Sequence, residues 1–270
     1  MKKKASTYIL ILIFILGLCI MLYPIVANWW NSKVQSKVIT DYESVIQKMA
    51  PEDYSSYFDP AEEFNEKLLH MDMPLYHVKE LTEYNDILHI ADTGVMGFIA
   101  IEKLKVEIPI YHGTSTAALS SGVGHMEGTS FPIGGLGTHA ALSAHRGLPS
   151  AKLFTDLDEM EVGDTFTITV LDRLLTYQVD QVKIVLPHEL DDLRIEDNKD
   201  YVTLVTCTPY GINTHRLLVR GHRIKNAEVK AQIYVPNEAI QVDPLVVAPI
   251  VSIPLLILVL LYVALKYRKK

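Results

Sequence analysis

The sequence predicts a mainly β domain, closed or nearly closed into an antiparallel barrel, with an N-terminal helical extension and two flanking transmembrane helices. Three observations predict it. Residues 94–226 hold short runs rich in Val, Ile, Thr and Tyr, separated by Gly, Pro and Asp, and strands at such spacing form barrels or sandwiches. Residues 31–84 are instead rich in Glu, Lys, Gln and Leu, residues that favour helices. Near each end lies an apolar run long enough to cross the ~30 Å bilayer core as a helix.

The N-terminal run, 8–26, follows Lys2, Lys3 and Lys4; the second, 245–265, precedes Lys266, Arg268, Lys269 and Lys270. Basic flanks stay on the cytoplasmic side, so both termini are expected inside and residues 31–244 outside, on the surface of the cell membrane. Ile25-Val26-Ala27 ends on a small residue as a signal peptide would, but the apolar core is long and lacks an A-x-A site, so an uncleaved anchor is the preferred reading. Cys19 falls inside this run, where packing is its expected role. Pro249 and Pro254 interrupt the second run, which a membrane helix tolerates when neighbouring groups re-satisfy the freed carbonyls. The expected organisation is a basic cluster and anchor (1–30), a helical extension (31–93), a β-barrel (94–226), a linker (227–244) and a second span with a basic tail (245–270).

The formal charge of −7 becomes −14 for residues 31–244 once the seven terminal Lys and Arg are set aside. So acidic a segment is a poor partner for nucleic acid or anionic headgroups. Its one cysteine, Cys207, leaves no internal disulfide, so an apolar core must hold the fold. No His-Glu-x-x-His or paired-Cys spacing points to a metal.

Taken in order, two helices are expected at 32–49 and 60–70, the second with Asp59 as N-cap and Pro60 in its first turn. Strands are expected at 96–101, 106–111, 139–144, 165–171, 174–186, 201–207 and 217–224. Residues 165–170 alternate polar and apolar with the strand period of two. Gly134-Gly135-Leu136-Gly137 lacks the Gly-Lys-Ser/Thr ending of a phosphate loop and reads as a turn.

The residues with chemistry cluster late in the chain. Cys207 ends a strand and the turn-rich Thr208-Pro209-Tyr210-Gly211-Ile212-Asn213-Thr214 follows it. A lone thiol facing an oxidising compartment needs a reason to be there. If the next strand pairs back, Arg216 stands beside Cys207, where a cation favours a thiolate and stabilises an oxyanion. A thiolate nucleophile also needs a proton donor for its leaving group. His145, in Leu142-Ser143-Ala144-His145-Arg146-Gly147, sits where a strand runs into a Gly-Pro loop. Thr206, beside the nucleophile, is a candidate substrate-binding residue. His125, His139, His215 and His222 read as packing or hydrogen-bonding residues, with His215 facing away from Arg216 by strand alternation.

Thr203-Leu204-Val205-Thr206-Cys207 resembles the TLxTC signature of sortases, cysteine transpeptidases of Gram-positive surfaces, and Arg216 falls where that family's arginine follows. Residues 202–224, with Leu142-Ser143-Ala144-His145-Arg146-Gly147-Leu148-Pro149 and Ile108-Pro109-Ile110-Tyr111-His112-Gly113-Thr114, look like class C, the pilin polymerases. The resemblance implies that Cys207 attacks an LPXTG-like sorting signal on a pilin or surface protein, His145 protonates the departing amine and Arg216 holds the carbonyl. A lysine amine of another pilin would then resolve the thioacyl enzyme, with no metal or organic cofactor. Two alternatives are a housekeeping sortase that uses a cell-wall precursor amine and a non-catalytic scaffold that binds sorting signals. Many class C members carry an Asp-Pro-aromatic lid; here Asp59-Pro60-Ala61 lacks the aromatic, while Asp72-Met73-Pro74-Leu75-Tyr76 has the parts at altered spacing, which makes Asp72 and Tyr76 the candidate lid residues.

Overall fold

The computed structural model describes residues 2–90 and 94–226. The expected linker and second transmembrane helix lie outside the described residues. Two compact units share the chain: one holds the residues up to Asn31 with Pro149–Ala151, the other holds Ser32–Leu148 and the chain from Lys152.

Helix α1 (Lys2–Ile46) is one continuous α-helix. A boundary between anchor and extension was expected near residue 31, but residues 27–46 contain neither Gly nor Pro, so nothing stops propagation. Among the described residues this is the one helix long and apolar enough to cross a membrane. Helix α2 (Ser55–Leu69) begins before the expected start, with Asp59 and Pro60 inside it. Neither residue caps it. Pro60, the sixth residue of α2, has no N–H to offer the carbonyl of residue 56, so the helix goes without that one bond. Asn65 ties α2 to the barrel through both its atoms: Nδ2 donates to the Phe131 carbonyl at 3.2 Å, and Oδ1 accepts the Phe131 N–H at 2.7 Å.

Eight strands close the barrel: β1 (Val95–Ile101), β2 (Val106–His112), β3 (Val123–His125), β4 (Thr138–Ser143), β5 (Thr165–Val170), β6 (Arg173–Val185), β7 (Asp200–Thr208) and β8 (His215–Ile224). Their order around the barrel is β1-β2-β3-β4-β7-β8-β6-β5. The expectation of an antiparallel barrel is corrected at two places, because β2–β3 and β4–β7 pair parallel. Parallel neighbours need a crossover. Helix α3 (Thr116–Ser121) supplies the first, and β5 with β6 intervenes in the second. Strand β3 has only three residues, one a glycine, too short for a period-two pattern to register.

Ile99, Ile110, Leu142, Ile168, Leu204 and Val219 are fully buried within the barrel. Tyr42 of α1 joins two strand ends, donating its hydroxyl to the Met96 carbonyl at 3.1 Å and accepting the Leu171 N–H at 2.8 Å. A second polar knot lies under the extension. His125 faces the Ser130 carbonyl with Nε2 at 2.8 Å, so that nitrogen carries the proton and Nδ1 accepts from the Tyr84 hydroxyl at 2.8 Å. Burial holds His125 neutral, with its pKa lowered to about 4.

Candidate active site

Strand alternation sorts β7 into two faces. Val202, Leu204 and Thr206 point into the barrel, while Thr203, Val205 and Cys207 face outward. Cys207 is directly opposite Arg216 on β8, the neighbour expected from sequence. On the other side, β4 runs parallel to β7 with Ser143 beside Val205, and the Ala144 N–H continues the ladder to the Val205 carbonyl at 3.1 Å. His145 lies two residues beyond the last paired residue of β4, on the chain that borders the β7 end carrying Cys207. The order of strands β4, β7 and β8 thus runs from the chain leading into His145, through Cys207, to Arg216.

Each is held from behind. The Thr206 hydroxyl donates to the Ala144 carbonyl at 2.8 Å, and the Phe154 N–H donates to the His145 carbonyl at 3.2 Å. Thr206, expected to touch substrate, is instead turned into the barrel and buried at 1% exposure. Its hydroxyl stitches β7, which carries Cys207, to the chain leading into His145. Gly147 has φ of +78°, and a Cβ there would lie 2.6 Å from the Tyr210 ring, so the turn after His145 requires glycine. Arg216 donates Nη1 to the carbonyls of His215 at 3.0 Å and Asn213 at 3.3 Å. Those contacts fix the guanidinium while engaging only one of its nitrogens among the described residues.

A family comparison matches residues 99–224 to the sortase domain. Sortase C1 from Streptococcus agalactiae superposes with a TM-score of 0.65 at 48% identity, covering 70% of this chain and 99% of that one. The chain belongs to the sortase family. Sortases are cysteine transpeptidases, and the structural neighbours of this sortase are sortase C enzymes. A Clostridium perfringens sortase C solved with a C-terminal cell wall sorting motif superposes at TM-score 0.62 and 43% identity, covering 70% of this chain and 99% of that one. Sortase D of Bacillus subtilis is 28% identical over 137 residues, 49% of this chain and 66% of that protein, so the match spans just under two thirds of that curated relative.

The part of the extension around the 3-10 turn Pro74–Tyr76, the arm, packs against the strands that carry Cys207 and Arg216. Val205 and Leu218, each two residues from Cys207 or Arg216 on the same face, pack with Ala141, Val185 and Leu193, and Leu75 of the arm joins them. Asp72 is exposed, and Tyr76 is 61% exposed. Neither forms a hydrogen bond or ion pair with Arg216 or Cys207 among the described residues. Gly128 lies under this arm, where a Cβ would sit 3.0 Å from the Pro74 carbonyl. The apolar residue between two candidate lid residues, passed over because it carries no chemistry, is the one that docks.

Two further histidines make local hydrogen bonds. His139 donates Nδ1–H to the Arg194 carbonyl at 2.8 Å and accepts the Thr203 hydroxyl at Nε2 at 2.7 Å, and burial lowers its pKa to about 4. His215 contacts the Thr214 hydroxyl at 2.9 Å.

Proposed function

We propose that this sortase is a membrane-anchored class C enzyme that cleaves LPXTG-like sorting signals and joins the product to a lysine amine of another pilin subunit. The observation that carries it is the pairing of Cys207 with Arg216 on β8, with His145 two residues past the end of the neighbouring β4; in this reading a nucleophile lies between a proton carrier and a cation.

In this reading the Cys207 thiolate attacks the carbonyl carbon of the signal's threonine, and Arg216 stabilises the oxyanion. As the C–N bond to glycine breaks, His145 transfers its proton to the departing amine, leaving a thioester on Cys207. A lysine Nζ then attacks that thioester. The new amide bond forms, the lysine proton passes to His145, and the thiolate is regenerated. The C. perfringens structure with a sorting motif supports the substrate class, and the sortase C neighbours support the polymerising role. The apolar N-terminal part of α1 supports one membrane span, and the apolar run 245–265 with the basic residues at both ends of the chain supports a second, with cytoplasmic termini and an extracellular barrel.

The arm over Val205 and Leu218 also belongs to this reading as a cover on the substrate face, with Leu75 its anchor and Asp72 and Tyr76 at its edges. The product tests the central assignment. Cells carrying the wild-type chain with a pilin substrate are expected to build covalent pilin ladders, and Cys207→Ala cells none. Single proteins released with wall fragments would favour the housekeeping role, and ladders in Cys207→Ala cells a scaffold.

A further inference from the structure

Arg146 follows His145, and its side chain is only 10% exposed. Its Nη2 pairs with Asp158 Oδ2 at 2.5 Å, and its Nη1 reaches Thr208 Oγ1 at 3.4 Å. Thr208 in turn follows Cys207 and is itself buried. One guanidinium therefore adjoins the histidine in sequence and touches the nucleophile's neighbour in space.

Asp158 sits in the short 3-10 turn Leu157–Glu159, anchored by the fully buried Leu157. The same loop holds the backbone around His145, since the Phe154 N–H donates to the His145 carbonyl and Thr155 Oγ1 accepts the Gly147 N–H at 3.1 Å. Stability is a poor account of this arginine. An ion pair to a carboxylate whose side chain is 49% exposed contributes little, and Arg146 Nε is buried with no hydrogen-bond partner among the described residues, which costs stability. What the fork does provide is a fixed distance between two bonded partners, one on the end of β7 and one on the loop after β4.

We propose that Arg146 is a positioning residue whose guanidinium, held by Asp158, braces Thr208 and so sets the spacing between the His145 imidazole and the Cys207 thiol. The inference rests on the reading of those two residues as proton carrier and nucleophile. Lysine keeps the charge but lacks the planar fork, so it cannot hold both partners at a fixed separation.

The test uses the full chain in detergent with an LPXTG-type peptide. A misplacement of about 1 Å costs roughly 100-fold in rate, so Arg146→Lys is expected to lower kcat by about 10- to 100-fold and to leave KM within about twofold. Alkylation of Cys207 by iodoacetamide and the melting temperature should stay near wild type. Thr208→Val should give a similar loss of kcat, and the double variant should lose little more than either single one, because both remove the same brace. Wild-type kcat in a folded Arg146→Lys variant, a loss confined to KM, or losses that multiply in the double variant would each overturn the inference. His145→Ala, measured in parallel, separates the two levels: wild-type turnover there sinks the assignment of His145 itself, whereas a large loss there with normal Arg146→Lys turnover sinks the brace alone.

Discussion

Cys207 gains its neighbours from register rather than from sequence proximity. Its backbone sits opposite Arg216 because β7 and β8 pair antiparallel across a short loop, and the chain leading into His145 borders its strand because β4 and β7 pair parallel. All three side chains are only partly buried, so truncating one is expected to spare the fold. His145→Ala should lower peptide cleavage by about 100- to 10,000-fold, the range for losing a general acid–base group. Arg216→Ala should lower it by about 100- to 1,000-fold, as for losing an oxyanion donor. Cleavage rates measured beside thermal melts check both, and near-normal rates in folded variants would reject the roles.

The arm and the barrel strands set what reaches that row. If Leu75 anchors a cover on the face shared with Cys207, Leu75→Ser should speed thiol labelling of Cys207 several-fold without changing the melting profile of the barrel. An unchanged rate would show that the arm does not limit access. Replacing Asp72 and Tyr76 together measures the edges of the same cover. Seven of the eight strands were legible because each is long enough to show β-branched runs between turn signals, and Arg216 was legible as the partner of Cys207 because a hairpin register runs outward from its loop. The place of His145 was not, because it depends on a parallel pairing across an intervening hairpin, which leaves no local pattern. Strand β3 was too short to see. Leu75 and Arg146 escaped notice for opposite reasons: a leucine in an arm signals only packing, and an arginine beside a histidine is overshadowed by it. The start of α2 was misplaced because Pro60 usually marks a first turn, and here the preceding turn Pro51–Tyr54 had already begun winding the chain.

At the level of the whole molecule, a disulfide-free barrel depends on buried groups remaining in one protonation state. His125 and His139 both have pKa values lowered to about 4 by burial, whereas an unfolded chain protonates histidine near 6.5. Between those values the unfolded state binds more protons, so stability rises with pH across that window. The contribution is fully present above about pH 6.5 and is lost as pH falls toward about 4. Melting temperature is therefore expected to fall as pH drops through this range, and His139→Gln should show a shallower fall; an identical slope would show that His139 is not protonated on unfolding. The central claim is that Cys207 carries a thioacyl intermediate between two flanking groups. Intact mass of the full chain, incubated with an LPXTG-type peptide beside Cys207→Ala, tests it most directly. The account predicts an acyl adduct on the wild type alone, released by an added amine. An adduct on Cys207→Ala, or none on a wild-type chain whose thiol still reacts with a small alkylating reagent, would contradict it.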